Sequence, residues 1–503
     1  MAITKLLIAN RGEIALRIIR SARVLGISTV AVHSAADSLA AHVIAADQAY
    51  LIGPAEAAQS YLDLERILEA AKASGADAIH PGYGFLAERP EFADAVAAAG
   101  LTFVGPDAAV MAALGDKVRA RRIAIEAGVP VVPGLDTADI AAARKFGAEI
   151  GFPIIIKAAA GGGGRGMRVV QSAGELASAL EAASREAKAA FGDGRVFVEK
   201  YLARPRHIEI QILGDSRGTL IALGERECSI QRRHQKIIEE SPAPRLSGEL
   251  HRQMIDAALT LARAVNYRNA GTVEFLVDGD RFYFLEVNAR LQVEHPVTEL
   301  CFGRDLVADQ IRIAAGEAVD EAGPMRGWAI ECRVNAEDVS HDFRPATGSV
   351  VQLQLPAGPG VRVDTHLAAG ADISPYYDSL IAKIICYGQH REEARARMAA
   401  ALTEFSLLGV HHTAAFLHDI VTSEAFTRAD LSTGFIQENF SERHEDDDRL
   451  RHALIAAAMV AQGNLGVSAK TERPQGTITS AAHDSEARSP WFGLGDFELW
   501  SRR

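Results

Sequence analysis

From Phe284 to His295 the chain reads FLEVNARLQVEH, and no other segment constrains its fold and chemistry as tightly. Glu286, Asn288, Arg290, Gln292 and Glu294 fall on even positions, with Leu285, Val287, Ala289, Leu291 and Val293 between them. Alternate side chains of a strand project to opposite faces, so this spacing predicts a β-strand over 286–294 with one apolar and one polar face. A solvated strand also alternates, but its polar side ordinarily takes Thr, Lys or Ser. Here it carries two carboxylates, two amides and a guanidinium, the groups that bind a metal, fix an oxyanion and remove a proton.

Upstream, TVEFLVDGDRFYF (Thr272–Phe284) reads as two β-runs flanking Asp278-Gly279-Asp280, a hairpin signal. Register decides whether Glu274 can work with Glu286. A two-residue loop at 278–279 puts Glu274 opposite Tyr283, on the other face. A three-residue loop, or one bulge, brings it to the face of Glu286. If the two glutamates share a cation, the connection is of the second kind, and with Asn288 they form a hard oxygen set suited to Mg²⁺ between phosphates.

GFPIIIKAAAGGGGRGMRVV (Gly151–Val170) supplies a second element. Ile154–Ile156 predicts a buried strand that ends at Lys157 and runs into four consecutive glycines, Arg165 and Gly166. A loop without Cβ atoms can fold its N–H groups around anionic oxygens and move as a flap. No Gly-Lys-Ser/Thr follows, so this is not a Walker A loop, and the spacing is not a dinucleotide fingerprint.

These two segments, together with IANRGEIALRIIR (Ile8–Arg20), HPGYGFLAE (His80–Glu88), VEKYLARPRHIEIQ (Val198–Gln211), ECSIQRRHQKIIEESPAP (Glu227–Pro244) and ECRVNAED (Glu331–Asp338), resemble biotin carboxylase, an ATP-grasp ligase. The resemblance runs from about Lys5 to about Phe440. It implies that Lys117, Lys157 and the glycine loop (Gly163, Gly164) hold the phosphates of ATP. Glu199, Lys200 and Leu202 would line the adenine edge with backbone groups, and His207 and His234 would contact ribose and phosphates. Glu274, Glu286 and Asn288 would hold Mg²⁺ or Mn²⁺, the two glutamates thereby joining the ATP site. Bicarbonate would lie against Lys236, Arg290, Gln292 and the backbone of Val293. Glu294 would be the general base, and Arg333, with Tyr83, would receive biotin. Lys236, Arg290, Glu294 and Arg333 form the implied catalytic set.

Periodicity gives an α/β chain. Residues 1–115 alternate strands (Leu6–Ala9, Thr29–His33, Ala78–His80, Thr102–Val104) with helices such as Glu13–Leu25, a parallel α/β domain that the resemblance makes the pre-ATP-grasp domain. Residues 116–330 carry the loop and hairpin as an ATP-grasp domain with a mobile lid over about 131–205. Residues 331–440 form a C-terminal α+β domain, with strands at Ala329–Val334, Gly348–Leu353 and Lys383–Tyr387 and helices at Arg391–Phe405 and Thr413–Thr422. In the remainder, 441–503, a helix at Asp446–Gln462 precedes a Ser/Thr/Glu/Pro-rich linker, Ser468–Pro490, and the apolar segment Trp491–Trp500. That segment resembles the start of the linker leading to the carrier in fused acyl-CoA carboxylase α subunits.

At 503 residues the chain exceeds one core. A net charge of −12 argues against nonspecific nucleic-acid or membrane binding, although Arg226, Arg232, Arg233, His234 and Lys236 cluster in sequence. Cys228, Cys301, Cys332 and Cys386 show no CxxC spacing and read as reduced, buried thiols of a cytoplasmic protein. No apolar run reaches the roughly 18 residues a membrane helix needs, and no signal peptide precedes the first strand.

The expected activity is therefore ATP- and bicarbonate-dependent carboxylation of biotin through carboxyphosphate, the first half-reaction of an acyl-CoA carboxylase. No biotinylation motif occurs in the sequence, so biotin is expected on a separate carrier protein, with a carboxyltransferase as further partner and a homodimer as the family's state. A pyruvate-type carboxylase subunit, another bicarbonate-using ATP-grasp ligase and a non-catalytic nucleotide-binding scaffold are the alternatives.

Overall fold

Leu6, Leu7 and Ile8 of the strand Lys5–Ile8 (β1) have no polar side to offer water, and the fold buries them between two neighbours. The computed structural model describes residues 2–137, 139–159 and 167–441. β1 pairs in parallel with Ser28–Ser34 (β2) and Ala78–His80 (β4), while Gln48–Gly53 (β3) and Thr102–Phe103 (β5) form the edges of a five-stranded sheet. A parallel sheet needs cover on both faces. Ile14, Ile18 and Ile19 of helix Gly12–Val24 pack with Leu6 and Ile8, while Ile67 and Phe92 from two later helices pack with Leu7 on the other side. The sequence reading missed β3, an edge strand whose Leu51 is exposed.

Gly134–Leu135 (β6), Ile154–Ala158 (β7), Arg168–Val170 (β8) and Val196–Lys200 (β9) form a separate antiparallel sheet, in the order β6-β9-β7-β8. With helices Ile140–Ile150 and Leu176–Phe191 it encloses its own core of Ile154, Ile156, Val170, Leu180 and Val198. This body lies inside the span expected as a lid. The glycine loop with Gly163 and Gly164, the helix expected at Asp446–Gln462 and the tail Trp491–Trp500 lie outside the described residues.

The largest element is an eight-stranded antiparallel sheet. Arg281–Asn288 (β14), Asn269–Asp278 (β13), Arg206–Gly214 (β10), Leu220–Arg232 (β11), Gln235–Ser241 (β12) and Trp328–Asn335 (β15) follow one another across it, then Leu380–Gly388 and Val361–Thr365. Ile208, Ile210, Val273 and Phe275 point to one face and meet Met254, Ala258 and Leu261 of helix Gly248–Ala264. That helix is capped by Ser247, whose hydroxyl accepts the Leu250 N–H at 3.2 Å. The polar alternates of the same strands face the other way, toward the site.

One sheet runs through residue 330, since β12 and β15 are hydrogen-bonded neighbours with Glu239 opposite Glu331. One expectation needs correction. The strand expected at Gly348–Leu353 is two short ones. Gly348–Ser349 pairs with Asp372–Ile373 and Gln352–Gln354 with Ser406–Leu408, the chain changing partner at the buried Val350. All four cysteines are free and buried, and among the described residues no helix is long and apolar enough to cross a membrane.

Phe275 is fully buried and packs edge-on against Phe282 at 5.4 Å. Phe275→Ala is expected to cost about 3–5 kcal/mol, and loss of the helix cap in Ser247→Ala about 1 kcal/mol. Thermal unfolding of the two variants should rank them in that order.

Candidate active site

A row of charges crosses the sheet. Arg226 on β11 lies opposite Glu209 on β10, Glu209 opposite Glu274 on β13, and Glu274 opposite Glu286 on β14. The hairpin reaches this register by a bulge. Asp278 pairs with Arg281 across a tight connection, Phe275 still opposes Phe284, and Glu274 then opposes Glu286, leaving Leu285 as the extra residue. The shared face expected for Glu274 and Glu286 is present, with the bulge lying well away from Gly279.

The strand expected to continue to Glu294 stops at Asn288. Residues 289–294 turn instead into helix His295–Phe302, with Pro296 in its first turn, where a missing N–H costs nothing. Arg290, Gln292 and Glu294 are thus delivered by a loop that folds back over the sheet. Gln292 donates to Glu274 Oε1 at 2.8 Å and accepts from the Arg226 guanidinium at 2.8 Å. Glu294 receives Lys236 at 2.7 Å on one oxygen and Arg333 at 2.8 Å on the other. Arg290 reaches Asn288 Oδ1 at 3.0 Å and Glu88 at 3.0 Å.

Lys236 is the hub. Its ammonium donates to Glu209 at 2.5 Å, Glu274 at 2.8 Å and Glu294 at 2.7 Å. Burial disfavours the charged amine, yet Glu209, Glu274 and Glu294 outweigh it and hold its pKa well above the usual lysine value. Burial likewise pushes Glu294 upward, but Lys236, Arg333 and Arg226 keep it well below the ordinary carboxylate range. Glu274 is held down in the same way, by Lys236 and His207. Both carboxylates are therefore ionised, the form a base needs.

The basic cluster of the sequence does not form a surface patch. Arg226 is fully buried and bonds Glu209, Gln211, Thr272, Gln292 and Thr298. Arg232 pairs with Glu337 at 2.6 Å, and Lys236 points inward. Arg233 and His234 form the β11–β12 turn with φ of 51° and 65°. Side chains larger than Gly or Asn there store about 1 kcal/mol or more each, a strain associated with functional sites.

A cavity of about 770 Å³ joins these groups to the four-stranded body. Lys117, Lys157, Glu199, Lys200, Leu202, His207 and His234 line it, with Tyr83, Glu274, Glu286, Asn288, Arg290, Gln292, Val293, Glu294 and Arg333. Each described residue proposed for the site from sequence thus borders one space. Lys157 at 2.6 Å and Arg121 at 2.9 Å both bind the Glu199 carboxylate, and the Lys200 N–H donates to Pro133 O at 2.9 Å. The expected adenine edge therefore keeps no free N–H at Lys200. His207 lies between Gln231 at 2.7 Å and Glu274 at 2.9 Å, so its first partners are side chains of the sheet.

Glu274, Glu286 and Asn288 carry the hard oxygens a divalent cation takes, and the Asn288 oxygen accepts here from Arg290 at 3.0 Å. The carboxylates are cross-strand neighbours, and Asn288 Nδ2 reaches Glu274 at 2.8 Å. Without a cation their charge is met by Lys236 and, at 2.9 Å from Glu286, by Lys117. His207, Glu209 and Glu274 also bring ligand atoms within 4.8 Å of one another.

Sequence reading gave no role to Glu209, Arg226, Arg121, Glu88, Glu239, Glu13 or Lys383. Glu209 was within reach, since RHIEIQ alternates polar and apolar residues as the 286–294 segment does. The others come from separate strands and helices and have no local signal.

Three family descriptions tile the chain: "Biotin carboxylase, N-terminal domain" over 2–111, "Carbamoyl-phosphate synthase L chain, ATP binding domain" over 116–322 and "Biotin carboxylase C-terminal domain" over 331–438. Biotin carboxylase 1 of Bacillus subtilis is 50% identical over 442 residues, covering 86% of this chain and 98% of the relative. The mitochondrial methylcrotonoyl-CoA carboxylase subunit alpha of Dictyostelium discoideum is 44% identical over 505 residues, 99% of this chain and 70% of that one. Among solved structures, the biotin carboxylase domain dimer of Hydrogenobacter thermophilus 2-oxoglutarate carboxylase, in complex with MgADP, ADP and bicarbonate, superposes with a TM-score of 0.84 at 44% identity, over 88% of this chain and 100% of that one. With the carboxylate row, the buried lysine and the cavity at one sheet face, these matches place the chain in the biotin carboxylase family of ATP-grasp ligases.

Proposed function

We propose that this biotin carboxylase performs the first half-reaction of an acyl-CoA carboxylase, carboxylating biotin presented by a carrier protein. The observation that carries the mechanistic reading is Lys236 among Glu209, Glu274 and Glu294, with Arg333 on the far side of Glu294. Lys117 and Lys157, now paired with Glu286 and Glu199, exchange those carboxylates for the phosphates of ATP. Glu274, Glu286 and Asn288 would hold Mg²⁺ or Mn²⁺, which would supply charge neutralisation on those phosphates.

Bicarbonate takes donors from Lys236, Gln292, the Val293 backbone and Arg290, whose guanidinium forks onto a planar anion. As Lys236 turns to the anion, Glu294 loses part of the field that depresses its pKa and becomes basic enough to accept the bicarbonate proton. The freed oxygen attacks the γ-phosphorus and ADP leaves. Carboxyphosphate then breaks its C–O bond to CO₂ and phosphate. The phosphate removes the N1 proton of biotin, and N1 forms the C–N bond to CO₂ while Arg333 holds the negative charge on the ureido oxygen. Tyr83 lines the same cavity.

The acyl-CoA assignment is supported by the similarity to the methylcrotonoyl-CoA carboxylase subunit, which runs through 99% of this chain and so beyond the three domains. A keto-acid carboxylase is the second reading, since the Hydrogenobacter relative belongs to one. That relative is described as a dimer, and we infer the same state here.

The purified chain is expected to cleave ATP only with bicarbonate and Mg²⁺, and faster with free biotin. Cleavage independent of bicarbonate would defeat the reading. Glu294→Gln should lower kcat by about 100-fold or more with the KM for ATP within about twofold, because a base is lost and no phosphate contact is. A parallel rise in the ATP KM would count against the base.

Glu274 and Glu294 sit below the ordinary carboxylate value in the folded chain. They stabilise it above that value, and the contribution disappears as pH falls through their folded values. Lys236→Gln removes the shared ammonium and leaves ionised carboxylates facing one another. Its thermal midpoint should fall below that of the unaltered chain, with a gap wider at about pH 8 than at about pH 5. A gap independent of pH would deny Lys236 that electrostatic role.

A further inference from the structure

Lys383 is fully buried on the strand Leu380–Gly388, and nothing so far assigned requires a charge there. Its ammonium donates to the Val293 carbonyl at 2.9 Å and stands 3.2 Å from Glu13 Oε1, with Asp364 at 4.0 Å. Glu13, in the first turn of helix Gly12–Val24, is also buried, and the same Oε1 accepts the hydroxyl of Tyr83. One amine therefore links three segments distant in sequence: the loop after β14, the first helix, and the loop after β4 that carries Tyr83.

The amine stays charged in this setting. Burial lowers its pKa, but Glu13, Glu331 and Asp364 more than reverse that, and the net direction is upward. A lysine has three donors and no acceptor, so one group can hold a carbonyl and a carboxylate at once. The neighbouring carbonyls of that loop are also tied, Leu291 O by Arg290 at 3.2 Å and Gln292 O by His295 Nδ1 at 2.7 Å. Fixing carbonyls on one side of a loop orients its N–H groups, which is how backbone donors are preorganised toward an anion.

We propose that Lys383, acting with Glu13, is a positioning residue that fixes the Val293–Glu294 peptide, and through it the loop backbone offered to bicarbonate, and sets the Tyr83 hydroxyl for biotin, and so keeps the two ends of the site in register. The proposal rests on the reading of the site given above. It gives the buried ammonium a task that an apolar side chain of similar length could not perform.

Removing Lys383 alone leaves Glu13 buried without its cation, so the test uses the double variant Lys383→Met/Glu13→Gln, which removes both charges, beside Glu13→Gln alone. Initial rates of ATP cleavage are measured against bicarbonate, ATP and free biotin. In the double variant the KM for bicarbonate should rise about tenfold while that for ATP stays within about twofold. In Glu13→Gln the biotin-stimulated rate should fall about fivefold with the bicarbonate KM unmoved, since the Val293 carbonyl keeps its donor. Equal rises in both KM values would mark the pair as a general support of the fold and overturn the proposal, as would a bicarbonate KM unchanged in the double variant. If the double variant does not fold, the single variant decides: unaltered stimulation by biotin overturns the proposal. Bicarbonate-independent cleavage by the unaltered chain would instead overturn the functional reading, and this proposal with it.

Discussion

The site depends on one ammonium. Glu209, Glu274 and Glu294 converge from two strands and a loop, and all are almost fully buried. Three carboxylates this close cannot all remain ionised in a medium of low polarity without a cation between them. Lys236 is that cation, and it reaches all three within 2.8 Å. Arg226 satisfies the remaining side of the cluster, bonding Glu209, Gln211 and Gln292 from behind. The result is a preorganised polar wall in which all three donors of Lys236 are held by carboxylates. In the mechanism proposed above, an anion that draws Lys236 away relaxes the field that holds Glu294 low.

The same logic explains why the sheet does not stop at a domain boundary. Arg333 lies on β15, the ladder neighbour of the strand that carries Lys236, and it bonds Glu294 together with Glu239. Lys236 and Arg333, the residues proposed above for bicarbonate and biotin, thus stand on adjacent strands of one sheet. Lys157 and Glu199, two of the residues proposed above for ATP, stand instead on β7 and β9 of a small body with its own core. Residues holding a reacting centre gain from a stiff scaffold, whereas a nucleotide must enter and leave. Glu239 is pushed up to about 7, chiefly by burial, and faces the fully buried Glu331 across the ladder. Burial pushes Glu331 well above the ordinary carboxylate value too.

Much of this was legible in the chain. The alternation from Glu286 to Glu294 marked which residues share a chemistry, and the apolar runs Leu6–Ile8 and Ile154–Ile156 located buried strands because such runs have no polar face to show water. The helix at Gly12–Val24 follows from Ile14 and Ile18 at helical spacing. The long motifs identified the family, and each described site residue they named borders one cavity. These features are local, and local pattern is what a sequence displays.

What the chain could not display was register and partnership. The bulge at Leu285 puts Glu274 opposite Glu286, and a hairpin sequence admits that geometry and its alternative equally. The strand ending at Asn288 was hidden because a loop folded over a sheet can bury polar alternates as a strand does. Arg226 reads as part of a basic surface run until its neighbours are known, and then it is a fully buried counterion. Lys383 and Glu13 lie 370 positions apart, and only packing brings them to 3.2 Å. Sequence determined which groups are available and on which side of each element they stand. The tertiary structure decided which charges face one another, because the energy of a buried charge is set by distant residues at its contact distance.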